Sequence, residues 1–226
     1  MRGERRYLPV SVPGNGDEPT RWFVHDRLKK ESTPAAGRDE AVVRAHELNE
    51  ATRWLWPLRD APCLWPDEPG RFGVRRRFDT HTGVDLYAEP GTEVVAVEAG
   101  RVVLVENFTG PKADSPWWHD TQAVLVEGES GVVCYGEMTP VVEFEADVAR
   151  GEFLGHVKRV LRNDKGRPTS MLHVELYVTG TRETAHWGLD APQPEELLDP
   201  TPQLLDALAQ ARDRSVVVES LEDGDD

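Results

Sequence analysis

A chain of 226 residues, 38% of them hydrophobic, is long enough for one well-packed domain with extensions. Its formal charge of −15 argues against a general affinity for nucleic acid or anionic membranes, both of which rest on clustered Lys and Arg. Residues 1–30 hold charges and prolines but no signal-peptide core, and no segment is long enough to span a bilayer; the expectation is therefore a cytoplasmic protein whose two cysteines, Cys63 and Cys134, are reduced.

Residues 1–36, with Pro9, Pro13, Gly14, Gly16, Pro19 and Pro34, read as an extended N-terminal arm. Val42, Ala45, Leu48 and Ala51 recur at three-residue steps with charges between them, which predicts a short amphipathic helix within 37–53, flanking a β domain. Trp54, Trp56 and Trp65 lead into that domain, expected over 54–208, and read as packing residues. Short Val-rich runs at 93–97, 101–106, 122–127, 132–135 and 172–178, broken by Gly or Pro, predict a mainly β fold: an antiparallel sheet curled toward a barrel or sandwich. Two long connections interrupt it, 107–121 with Trp117, Trp118 and His119, and 158–170 with Lys158, Arg159, Arg162, Lys165 and Arg167. A helix over 203–212, with Leu204, Leu205 and Leu208, is expected to pack back on the sheet. Residues 209–226 would hold its end and a solvated, disordered acidic tail, because Glu219, Glu222, Asp223, Asp225 and Asp226 crowd the last eight positions.

The chemistry concentrates in His81-Thr82-Gly83-Val84-Asp85 and Met171-Leu172-His173-Val174-Glu175. In an extended strand alternate side chains share a face, so His81 is expected to point with Asp85, and Met171 with His173 and Glu175. Two imidazoles and a carboxylate are a common zinc set that leaves a position open for water. Taken alone, the first motif also reads as a surface turn with a satisfied histidine, but His173 in a downstream strand favours a metal site. Glu175 is either an acceptor that orients a ligand imidazole or an ordinary acid on the sheet face.

These motifs lie in an order that resembles the M23 family of zinc metallopeptidases, the lysostaphin and LytM type, over residues 54–208. Trp56-Pro57 and Phe72-Gly73-Val74-Arg75 resemble the family's entry segment, and the His81 to Asp85 motif its first metal motif. Tyr135-Gly136-Glu137-Met138 stands in the place of its Tyr-x-His-Leu, and Gly151-Glu152-Phe153-Leu154-Gly155 in that of its Gly-x-x-Ile-Gly turn. Leu172-His173-Val174-Glu175 is similar to the end of its His-x-His-Phe-Glu motif, and Asp199-Pro200-Thr201-Pro202 to its closing segment.

By this resemblance His81, Asp85 and His173 are the zinc ligands. The family's two non-ligand histidines, which handle the proton of the attacking water and stabilise the oxyanion, are replaced by Glu137 and Met171. Methionine transfers no proton, whereas a glutamate beside a metal can serve as general base, the alternative being a carboxylate that merely fills a degenerate catalytic position. Tyr135, His119 and His156 are candidate auxiliaries for the missing role. Arg75 and Arg76, with Lys158, Arg159 and Arg162, suggest a basic mouth for an anionic group, the alternative being solvated loop charge. The resemblance implies a zinc-dependent hydrolase of a peptide or amide bond with a remodelled site. A zinc enzyme of the same fold acting on a small anionic metabolite, and a non-catalytic zinc-containing binding module, remain as alternatives.

Overall fold

The computed structural model describes residues 7–15, 18–27, 30–61, 64–164, 166 and 168–222. They divide into two compact units, Met1–Arg53 and Trp54–Asp226. Cys63, Lys165, Arg167 and the last four acidic-tail positions lie outside the described residues.

The first unit corrects the expectation of an extended arm. Strands β1 (Tyr7–Val12), β2 (Arg21–Asp26) and β3 (Glu31–Ala35) form an antiparallel sheet in the order β1-β2-β3. The prolines that suggested an arm sit where a strand tolerates them: Pro9 is on one edge strand and Pro34 on the other, while the central β2 has none. Helix α1 (Arg38–Ala51) opens with Asp39 and Glu40, which suit the positive end of its dipole, and Ala36 N–H donates to the Glu40 carboxylate at 2.9 Å. Ala41 and Ala45 are buried with Tyr7 and Val24, and Leu48 packs against them, so the inward face follows the i, i+4, i+7 rule. Val42 is 44% exposed, because a strict three-residue step drifts off that face. Asn49 ties the helix to β1 by accepting from Tyr7 N–H at 2.9 Å and donating to Tyr7 C=O at 2.8 Å.

In the second unit the chain enters through Trp54, Trp56 and Leu58, all buried. Its sheet is built from β4 (Val84–Tyr87), β5 (Glu93–Val95), β6 (Gly100–Thr109), β7 (Thr121–Gly128), β8 (Val132–Pro140), β9 (Asp147–Val148), β10 (Phe153–Val157), β11 (Met171–Tyr177) and β12 (Leu197–Leu198). Every pairing is antiparallel, along the path β12-β11-β8-β7-β6-β9 with β4 on β11 and β10 joining β5 to β8, and the sheet stays open.

Period-two alternation sorts this sheet into two faces. Val84, Leu86, Val133, Tyr135, Leu172, Val174 and Leu176 join Trp54 and Trp56 in the main core. Leu204, Ala207 and Leu208 of helix α2 (Thr201–Glu222) close that core. Helix α2 begins as Thr201 N–H donates to Asp199 at 2.8 Å, and it runs well past the expected 212, taking in Glu219 and Glu222. Asp85, Cys134, Gly136, His173, Glu175 and Tyr177 alternate with the core residues and so face the other way, where Ala123, Leu125, Cys134 and Tyr177 form a second cluster. No helix among the described residues is long and apolar enough to cross a membrane.

Candidate metal centre

Strand register assembles the site. Asp85 of β4 lies opposite His173 of β11, which lies opposite Gly136 of β8, so three adjacent strands bring these positions into one row. His81 is not in a strand, contrary to the expected β spacing; it precedes β4, and the bend at Gly83 carries its ring back over the row. Only glycine fits there, because a Cβ on Gly83 would lie 2.5 Å from Val174 C=O and 2.8 Å from the His173 ring.

The result is a small triangle of donor atoms. His81 Nε2 is 3.2 Å from His173 Nδ1 and 3.1 Å from Asp85 Oδ1, and His173 Nδ1 is 2.8 Å from Asp85 Oδ1. All three residues are buried, and their ligand-type atoms form one potential metal cluster among the described residues. The far nitrogen of each ring has its own acceptor: His81 Nδ1–H donates to Arg71 C=O at 2.8 Å, and His173 Nε2–H donates to Glu175 at 3.0 Å. Each ring therefore turns a lone pair toward Asp85.

Three electron-rich atoms so close together need a positive charge between them. Zinc bonds of about 2.0–2.1 Å at tetrahedral angles place ligand atoms roughly 3.3 Å apart, near the spacing seen, so the donor set fits a divalent cation. A proton is the alternative occupant. Burial works against charge on His173, but Glu175 and Asp85 push its pKa up to about 10. Burial likewise opposes the charge of Asp85, yet His81 and His173 hold its carboxyl well below the usual range. For His81 burial prevails and its pKa falls, despite the pull of Asp85.

A buried outer layer fixes this arrangement. Glu175 is 1% exposed and accepts from Tyr177 O–H at 2.6 Å as well as from His173. Thr82 also bonds Glu175 and, with His173, keeps its carboxyl ionised against burial. The Phe108 ring stands 5.4 Å from that of His173. Arg76 Nη2 holds the second oxygen of Asp85 at 2.6 Å and also donates to Pro69 C=O at 2.9 Å. Of the two readings of Glu175 the structure shows the acceptor for a His173 ring nitrogen, whereas the pairing of Arg76 with Asp85 was not visible in the sequence. The contribution of Phe108, Tyr177 and Arg71 C=O has no local sequence signal.

Glu137 reaches the site through a break in the strand. Gln122 pairs with Met138 and Val124 with Tyr135, so Gly136 and Glu137 together oppose Ala123 alone: a β-bulge, with Glu137 at φ 63°. In an unbroken strand Glu137 would share the core face of Tyr135. The bulge turns it instead into a cleft of about 1130 Å3 lined also by Asp85, Arg76, Met171, Trp117 and Trp118.

Several expected participants are elsewhere. Tyr135 is fully buried in the main core, where its O–H accepts from Val97 N–H at 2.8 Å and burial drives its pKa far up, so it is not an oxyanion group. His156 is exposed on β10 and packs edge-on against Phe153, and neither it nor His119 lines the cleft. Three arginines of the basic cluster bond the protein's own acceptors: Arg75 bonds Leu189 C=O and Asp190, Arg159 bonds Leu161 C=O, and Arg162 bonds Trp118 C=O. Lys158, Arg159 and Arg162 are not among the cleft's lining residues, whereas Arg75, Arg76 and Arg77 are, together with Glu68, Asp79, Asp85 and Glu137. The cleft therefore presents charge of both signs, with the Arg75 and Arg76 part of the expected basic cluster on it and the Lys158, Arg159 and Arg162 part off it.

The sequence of residues 79–184 matches that described as peptidase family M23. This segment is a peptidase family M23 domain. It holds β4 to β11 and all three donor residues. No protein of curated function shows significant similarity to the chain. Among solved structures, Helicobacter pylori Csd3 is 16% identical, with 95% of this chain and 50% of that one covered and a TM-score of 0.39. This chain thus spans about half the length of that protein. A Pseudomonas aeruginosa structure described as a putative peptidase M23 is 17% identical, with coverages of 92% and 87% and a TM-score of 0.40. A putative glycyl-glycine endopeptidase LytM from Ruminococcus gnavus is 16% identical, with coverages of 80% and 76% and a TM-score of 0.42.

Proposed function

We propose that the M23 domain is a zinc-dependent hydrolase of peptide or amide bonds in which His81, Asp85 and His173 hold the metal and Glu137 is the general base. The observation that carries this reading is the donor triangle of 2.8–3.2 Å, with each imidazole turned by an acceptor on its far nitrogen. When bound, zinc would polarise the scissile carbonyl and acidify the attacking water.

The protein's own groups supply the rest. Arg71 C=O and Glu175 set the ring orientations, and Arg76 confines Asp85 to presenting one oxygen. Glu137, carried into the cleft by its bulge, accepts the proton of the attacking water and returns it to the leaving amine. Met171 lines the same cleft and cannot take part in that transfer.

Two measurements test the proposal. Elemental analysis of protein purified without chelator should give about one zinc per chain, lost in His81→Ala and His173→Ala; undiminished zinc in both variants removes the metal site. Glu137→Gln keeps size and hydrogen-bonding shape but not basicity, so turnover should fall by roughly 10² or more with zinc content unchanged. Full turnover in that variant rules out the glutamate base.

A further inference from the structure

Beside the donor triangle, the cleft has an apolar wall. Met171 is buried with Val160 and Leu161, and Tyr87 and Trp118 pack against them. The wall is braced by bonds between two long connections: His119 N–H donates to Val160 C=O at 2.9 Å, Arg162 Nε–H donates to Trp118 C=O at 2.8 Å, and Trp118 pairs with Leu161 as an isolated bridge. Trp117, stacked edge-on to Trp118 with centroids 6.1 Å apart, extends the wall toward solvent and is 62% exposed. Phe78, 75% exposed with the Arg77 guanidinium 5.0 Å from its ring centroid, lines the same cleft.

Single exposed aromatics are common on protein surfaces, but two on one cleft, continuous with a buried apolar wall, are not scattered. Asp85 and Glu137 line this cleft together with Met171, so whatever lies along the wall lies next to the reacting atoms. Of the three arginines on the cleft, Arg75 and Arg76 are paired with Asp190 and Asp85, and Arg77 lies against the Phe78 ring. A cleft of about 1130 Å3 holds several residues, far more than a glycine pair would fill.

We infer that this cleft is a subsite for a peptide residue with a bulky apolar side chain adjoining the scissile bond, seated on Met171, Leu161, Trp118 and Trp117. The inference rests on the hydrolase reading for the position of the bond, but the apolar preference stands on the wall itself. Calorimetric titration of the metal-loaded protein with acetyl-Gly-Gly-Phe-Gly-Gly-amide and with the all-glycine peptide of equal length tests it. Burying a phenylalanine side chain should tighten binding roughly tenfold or more over glycine. Trp117→Ala, at a position 62% exposed, should remove a large part of that preference, and Leu161→Ala more of it.

Equal affinity for the two peptides, no binding of either, or a preference untouched in both variants overturns the subsite. Preferential binding with neither peptide cut leaves the subsite standing and removes the hydrolase reading. Cleavage of both peptides with equal affinity does the reverse.

Discussion

Glu175 shows how much of a candidate metal site can lie one layer behind the residues that could hold the ion. It is buried, ionised and shared among His173, Tyr177 and Thr82, and its bond to His173 Nε2–H is what turns Nδ1 toward Asp85. Glu175→Gln preserves volume but removes the charge that favours a proton on Nε2, so zinc affinity should fall about 10- to 100-fold, read by competition with a chromogenic chelator. An unchanged affinity would mean that packing alone orients the ring. That His81, Asp85 and His173 would lie together was legible from the two motifs, but the reason given for the first was not the right one, since His81 precedes β4 and is brought over by the bend at Gly83 rather than by strand alternation. The auxiliary assignment of Tyr135 failed for a reason no residue-by-residue reading reveals. Tyr135 and Glu137 are two apart and read as sharing a face, and only the extra residue between Val124 and Gln122 partners separates them.

Elements placed the site through two local irregularities. The bulge holds Glu137 at φ 63°, a conformation costing an ordinary residue about 1 kcal/mol that glycine escapes. Glu137→Gly should therefore be more stable than Glu137→Ala by about 1 kcal/mol in chemical denaturation, although both lose the base. The opposite order would show that the strand runs unbroken in solution. Gly83 is the second irregularity. An added Cβ there meets Val174 C=O, part of the β11 backbone, so no side-chain rotation relieves it. Gly83→Ala should cost about 1–3 kcal/mol of stability and push the His173 ring aside, weakening zinc binding by more than the lost stability alone accounts for. Most strands of the second unit were legible from their Val-rich runs. The sheet in 7–35 was not, because its prolines fall on edge strands, where they cost no ladder bond, and a proline count carries no information about which strand is central.

At the scale of the whole molecule, the two units differ in what they can sustain alone. The Trp54–Asp226 unit contains the main core, the second cluster, the donor triangle, Glu137 and Glu175, so every contact invoked for the site is internal to it. Among the described residues, the Met1–Arg53 unit buries only Tyr7, Val24, Ala41 and Ala45 as its apolar centre. Domains near 50 residues bury a small share of their surface and are marginal without disulfide or metal support. A chain beginning at Trp54 is therefore expected to fold cooperatively and bind zinc with the affinity of the full chain. The isolated first unit should show at most a weak, broad thermal transition. Calorimetry of both pieces, together with metal content of the larger, checks this. A larger piece that aggregates or binds no zinc would show that residues 1–53 are needed to complete the fold around the metal centre.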